Sequence, residues 1–139
     1  MFEYQTSARV QYGETDQMGF LYHGNYARYY ELGRVESLRS LGLTYKRMEE
    51  ELGVLMPVLT MNMRFVRPAH YDELLMVKTT LRKLPQQFIT FHMEIFNENT
   101  ELINGATVKL GFLEATGKTS IPCPEFLLEC LRPFFVESE

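Results

Sequence analysis

The sequence predicts an α+β domain in which an antiparallel sheet of about five strands wraps around one long central helix. A period of two runs through the N-terminus and through four later segments, and a 3.6-residue period runs between them over residues 26–41. The joints between the later segments are short. One helix cannot cover both faces of such a sheet, so the remaining apolar surface calls for a partner chain. The expected assembly is a homodimer or a dimer of dimers, that is, a homotetramer.

Each element has its own sequence signal. Tyr4, Thr6, Ala8, Val10 and Tyr12 alternate with Gln5, Ser7, Arg9 and Gln11, which predicts a strand with one buried face. Gly13, Gly19 and Gly24 then mark irregular backbone. Tyr26, Tyr29, Tyr30, Gly33, Ser37, Leu38 and Leu41 fall on one helical face, with Asn25 as N-cap and Gly42 as the C-terminal glycine. Gly33 and Ser37 are small enough to let another backbone approach. Arg28, Glu31, Arg34, Glu36 and Arg39 occupy most of the other face and are spaced for i, i+3 pairs. Leu32 and Val35 among them predict that part of this face is also covered.

A short helical or irregular piece around residues 44–52 leads into the strands. The inward sets are Leu59, Met61, Met63 and Phe65; Leu75, Val77, Thr79 and Leu81; Ile89, Phe91, Met93 and Ile95; and Ala106, Val108, Leu110 and Phe112. The joints RPAHYD, KLPQQ and NENTE predict antiparallel hairpins between successive strands. Pro122 and Pro124 end the run, and EFLLECLRPFF predicts a short terminal helix.

With 139 residues the chain fits one domain, residues 1–139. Its net charge of −4 argues against a broad nucleic-acid surface. No apolar run reaches the ~18–20 residues of a membrane span, and the N-terminus lacks a basic start followed by an apolar core. The expected location is therefore cytoplasmic, with Cys123 and Cys130 as free thiols. His23, His70 and His92 lack the short spacing of metal ligands, and GxSxG, GxGxxG and P-loop patterns are absent.

The polar stretch YGETDQMGFLYHGNY, residues 12–26, stands between strand and helix. Asp16 reads in two ways: a turn residue satisfied by backbone N–H groups, or a cleft carboxylate able to act as nucleophile or general base. Glu14, two residues away, suggests a carboxyl pair as in glycoside hydrolysis, but nothing else resembles a sugar site, and tryptophan is absent. His23 is either an exposed loop residue or the start of a helix whose unpaired N–H groups stabilise an oxyanion. Arg64, Arg67, Arg82 and Lys83 are solvated edge charges or a rim that attracts phosphate.

Y-G-E-T-D-Q-M-G-F-L-Y-H-G-N-Y followed by A-R-Y-Y-E-L-G-R resembles the signature of hotdog-fold acyl-CoA thioesterases. The closest likeness is to the 4-hydroxybenzoyl-CoA thioesterase type, including its Tol–Pal-associated branch, and it extends through M-R-F-V-R-P-A-H-Y-D-E-L-L. The resemblance implies a hotdog fold and hydrolysis of an acyl-CoA thioester without a cofactor. It places the catalytic carboxylate on Asp16, the helix-start donor on His23, and the tyrosine that precedes the acid on Tyr12. Asn25 and Tyr26 match the family's helix entrance, and Tyr22, Asn25, Arg64, Arg82 and Lys83 are candidates for holding substrate. L-R-K-L-P-Q-Q departs from the basic cluster of the benzoyl-CoA enzymes. That leaves an acyl carrier protein as an alternative donor, and a non-catalytic acyl- or partner-binding module as the reading outside enzymes.

Overall fold

In the computed structural model, which describes residues 1–136, the alternating segments become the strands of one antiparallel sheet. Its members are β1 (Phe2–Arg9), β3 (Val58–Phe65), β4 (Leu74–Leu81), β5 (Ile89–Phe96) and β6 (Leu102–Leu110), in the spatial order β1-β4-β5-β6-β3. A two-stranded ribbon of β2 (Val54–Leu55) and β7 (Leu113–Glu114) stands apart. The helices are α1 (Tyr26–Ser40), α2 (Tyr45–Glu50) and α3 (Glu125–Leu131). Long α1 against a five-stranded sheet is the expected hotdog arrangement.

The register shows which side chains face the helix. Tyr4, Thr79, Met93, Ala106 and Met63 line up across all five strands. Cross-strand partners project to the same side, so this row forms part of the helix-facing surface. In α1, Tyr26, Tyr29, Tyr30, Gly33, Ser37 and Leu38 are buried, as their spacing predicts. At Gly33 the approach is too close for any side chain. A Cβ there would lie 2.8 Å from atoms of Val77, Thr79 and Met93. Above this contact, the Tyr30 hydroxyl donates to Asn104 Oδ1 at 2.6 Å, and both residues are fully buried.

The helix ends as its glycine predicts. Gly42 has φ +86°, its N–H donates to Arg39, and the N–H of Leu43 reaches back to Leu38. These two bonds satisfy carbonyls that the last turn would otherwise leave unpaired, and Leu38 and Leu43 are both buried. The other end differs from expectation. Asn25 is itself helical in conformation and caps nothing; its Nδ2 donates to the Glu14 carbonyl at 2.8 Å.

Three further expectations are corrected. RPAHYD does not close a hairpin: β3 pairs with β6 and β4 with β1, so this joint crosses between the two sides of the sheet. The first strand stops at Arg9, because Tyr12–Glu14 turns into a short 3₁₀ helix and leaves Tyr12 exposed. Arg34 lies not on a charged outer face but 4% exposed, with Nε and Nη1 unpartnered among the described residues. Of the expected i, i+3 pairs Arg28–Glu31, Glu31–Arg34 and Glu36–Arg39, the last is formed, at 3.4 Å.

Two outcomes are expected. Gly33→Ala forces a methyl group into a filled contact and lowers stability by about 1–3 kcal/mol; an unchanged urea midpoint would contradict the close approach. Burial, the largest cause, raises the hydroxyl pKa of Tyr26, Tyr29 and Tyr30 above the usual value near 10. In the unfolded chain they ionise near 10, so the stability they confer is complete below that pH and is lost as pH rises further. Urea midpoints therefore fall between pH 9 and pH 11, and a flat profile over that range would contradict the burial.

Candidate active site

Between β1 and α1 the chain is held by two carboxylates with different tasks. Glu14 Oε1 accepts from the Tyr29 hydroxyl at 2.6 Å and from the Gln11 N–H at 2.8 Å. The Glu14 carbonyl accepts from the Tyr22 N–H at 2.9 Å and from Asn25 Nδ2. Glu14 therefore fastens the strand end to the helix start. It is absent from the residues lining the cleft that holds Asp16, and the two acids do not act as a pair.

Asp16 closes a tight loop. Its N–H donates to the Phe20 carbonyl at 2.8 Å, its carbonyl accepts from Gly19 at 3.0 Å, and Gly19 supplies the positive φ of 79° that the turn requires. Asp16 Oδ1 accepts from the N–H groups of Met18, at 2.9 Å, and Phe20, at 3.2 Å. Oδ2 carries no hydrogen bond among the described residues. Asp16 is thus a turn residue and also lines a cleft, of about 270 Å³, with Met18, Phe20, His23, Tyr26, Phe65 and Arg67.

The cleft also meets the helix start. His23–Asn25 forms a 3₁₀ turn that runs directly into α1, with the Tyr26 N–H donating to the His23 carbonyl. The N–H groups of His23 and Gly24 are the first of this helical run, so they have no acceptor within it. The Tyr22 ring packs beside His23, centroids 4.3 Å apart, and over Gly24, where a Cβ would lie 2.7 Å from it. On the opposite wall, the rings of Tyr26 and Phe65 meet edge to face at 5.2 Å. Burial chiefly raises the pKa of the Tyr26 phenol, against the lowering of a backbone hydrogen bond at Ala69, and the nearby charges of Glu73 and Asp16 add smaller increases.

The remaining candidates lie elsewhere. Tyr12 is 78% exposed, its ring edge-on to Tyr71 at 5.5 Å. Arg64 and Arg82 line a depression on the sheet face away from α1, together with Lys78 and His92. The imidazole of His92 is held below its usual pKa by burial and by the Arg82 charge. Lys83 lies with Arg82 around the 83–88 turn. The cation that lines the Asp16 cleft is Arg67, paired with Glu101 at 3.5 Å and donating to the Leu102 carbonyl. In the sequence Arg67 reads only as a rim charge, and Phe65 and Met18 read as strand and loop residues. The signal available was the end of an alternating strand running into R-F-V-R. Among the described residues no three His, Cys, Asp or Glu side chains gather as a metal site, and no helix is long and apolar enough to cross a membrane.

Comparison with known proteins identifies the family of the fold. Residues 18–104 match the model of the thioesterase superfamily. YneP of Bacillus subtilis is 39% identical over 98 residues, 70% of each chain. The acyl-CoA thioesterase YbgC of Haemophilus influenzae is 33% identical over 106 residues, 76% of this chain and 77% of its own. Among solved structures, the DHNA-CoA thioesterase of Staphylococcus aureus superposes with a TM-score of 0.85 at 29% identity, covering 100% of this chain and 99% of that one. A family match across most of the chain, on a hotdog fold and in relatives of this identity, means that the chain belongs to the thioesterase superfamily.

Proposed function

We propose that this protein hydrolyses acyl-CoA thioesters to the free acid and CoA, with Asp16 as the essential carboxylate. The observation that carries the reading is the division of labour within Asp16. Oδ1 is fixed by two backbone N–H groups while Oδ2 is free, in a cleft shared with an open helix start. The acyl-CoA thioesterase YbgC, similar over most of both chains, supports the substrate class.

In this reading the thioester carbonyl oxygen lies against the N–H groups of His23 and Gly24. The positive end of the helical run and the unpaired donors favour the charge that develops there. Asp16 Oδ2 either attacks the carbonyl carbon or takes a proton from the water that does. As the tetrahedral centre collapses, the C–S bond breaks and the sulfur leaves as CoA thiolate, which is protonated to the thiol; where Asp16 is the attacking group, water then hydrolyses the acyl–Asp16 anhydride, freeing the acid and restoring the carboxylate. The imidazole of His23 and the phenol of Tyr12 need play no part in that step, since the backbone of His23 supplies the donor. Tyr22 holds the helix mouth in shape through Gly24, and Arg67 is the nearest candidate for a phosphate of CoA.

Asp16→Asn keeps an oxygen that accepts both loop N–H bonds but loses the free carboxylate. We expect the fold to be retained and thiol release from short-chain and aromatic acyl-CoAs to fall by about 10²-fold or more. Full activity in the variant would overturn the mechanism. Release from an acyl carrier protein alone would move the donor, and no release from either would favour a binding module.

The edge of the sheet bears on assembly. Among the described residues β3 has β6 as its one neighbour, and Val58, Leu59, Phe65 and Val66 are 43–55% exposed. Within β3, Arg64 is the single charge and proline is absent, so little deters pairing with a second copy. Phe65 belongs both to this edge and to the Asp16 cleft, which would bring the partner copy beside the site. Sedimentation is expected to show a dimer or larger species that Leu59→Glu shifts toward monomer; a monomeric wild type would contradict the pairing.

A further inference from the structure

One buried polar side chain behind the cleft has no structural use for half of its hydrogen-bonding capacity. Asn104 is fully buried near the start of β6, beside the edge strand β3, and its Nδ2 has no partner among the described residues. Leaving such a group unpaired is unfavourable, and the bond that fixes Tyr30 uses only the Oδ1 half of the side chain. Its neighbours show what lies in front of it. Asn104 is the cross-strand partner of Phe65 on one side and Ile95 on the other, so all three project toward α1. Phe65 packs edge-on against Tyr26, and Tyr30, one turn further along α1, donates its hydroxyl to Asn104 Oδ1. Tyr26 and Phe65 are also walls of the Asp16 cleft. Asn104 therefore stands one side chain behind that cleft. Phe65, a wall of the cleft and the cross-strand partner of Asn104, is the side chain that stands between them.

We propose that Asn104 is a specificity-determining residue: its amide, with the Tyr30 hydroxyl, receives a hydroxyl group carried on the acyl chain of the substrate. The proposal rests on the thioesterase reading above and names the class of acyl group that reading leaves open. A hydroxyl fits better than a keto oxygen. Its oxygen accepts from Asn104 Nδ2, and its hydrogen donates to the lone pairs that Tyr30 Oη keeps after giving its own proton to Oδ1. A methyl group of the same size satisfies neither, and leaves the amide buried and unpaired. Sites built in this way discriminate against the analogue that lacks the polar group far more strongly than apolar pockets discriminate by size.

The experiment uses pairs of CoA thioesters that differ only in hydroxyl against methyl: 3-hydroxybutyryl with 3-methylbutyryl, 4-hydroxybutyryl with pentanoyl, and 4-hydroxybenzoyl with 4-methylbenzoyl. In the wild type, kcat/KM is expected to favour the hydroxyl member of at least one pair by about tenfold or more. Asn104→Leu should collapse that ratio to within about twofold or invert it. Wild-type ratios within about twofold for every pair would overturn the proposal, as would a preference that survives Asn104→Leu. If the variant does not fold, the wild-type ratios decide alone. If the wild type hydrolyses none of the six esters, the thioesterase reading is what fails. Titrating the same esters into the unreacting protein then tests Asn104 separately: tighter binding of the hydroxyl members supports it, and equal binding overturns it.

Discussion

The contact between α1 and the sheet at Gly33 is the constraint on which the rest of the molecule depends. Three side chains from β4 and β5 close over a position with no room for a methyl group. That distance fixes how deeply the helix sinks into the sheet, and so where its first turn emerges. Because Tyr26, Tyr29 and Tyr30 precede Gly33 on the same face, their rings and hydroxyls are set by the same contact. Tyr29 then anchors Glu14, Tyr26 forms a wall of the cleft, and Tyr30 bonds Asn104. A helix held further out would loosen all three together.

In the proposed reaction the Asp16 carboxylate serves structure and chemistry at once. Two backbone N–H groups on one oxygen hold the side chain in a single orientation, and they do so without filling the cleft side of the group. Orientation here is thus decided before any substrate arrives. Pre-set groups of this kind need no rearrangement at the moment of reaction, which is why fixed dipoles are effective in active sites.

Much of this was legible from periodicity. The buried faces of β4 and β5 and the tyrosine face of α1 follow directly from alternation and from 3.6-residue spacing, because burial on one side dictates residue type. What local pattern cannot express is which strand pairs with which. RPAHYD has the composition of a turn, yet it carries the chain across the sheet, since the partner of β3 is fixed by β6 rather than by proximity in sequence. Arg34 departs from its pattern for a related reason: Tyr45 of α2 lies beside it, on a face that the helical spacing alone marks as polar. In the cleft, the motif around residues 12–26 supplies Asp16 and His23, while Phe65 and Arg67, at and just past the far end of β3, become their neighbours only through the fold.

The strand order also has a kinetic side. β4, β5 and β6 follow one another through short turns and are neighbours in the sheet, so they can zip together locally. β1 cannot join them early, because Phe2 pairs with Leu81 and the intervening chain includes α1. Closing that long loop is the entropic barrier that high contact order imposes on folding. During synthesis the N-terminal strand and the tyrosine face of the helix therefore leave the ribosome well before the surface that buries them exists.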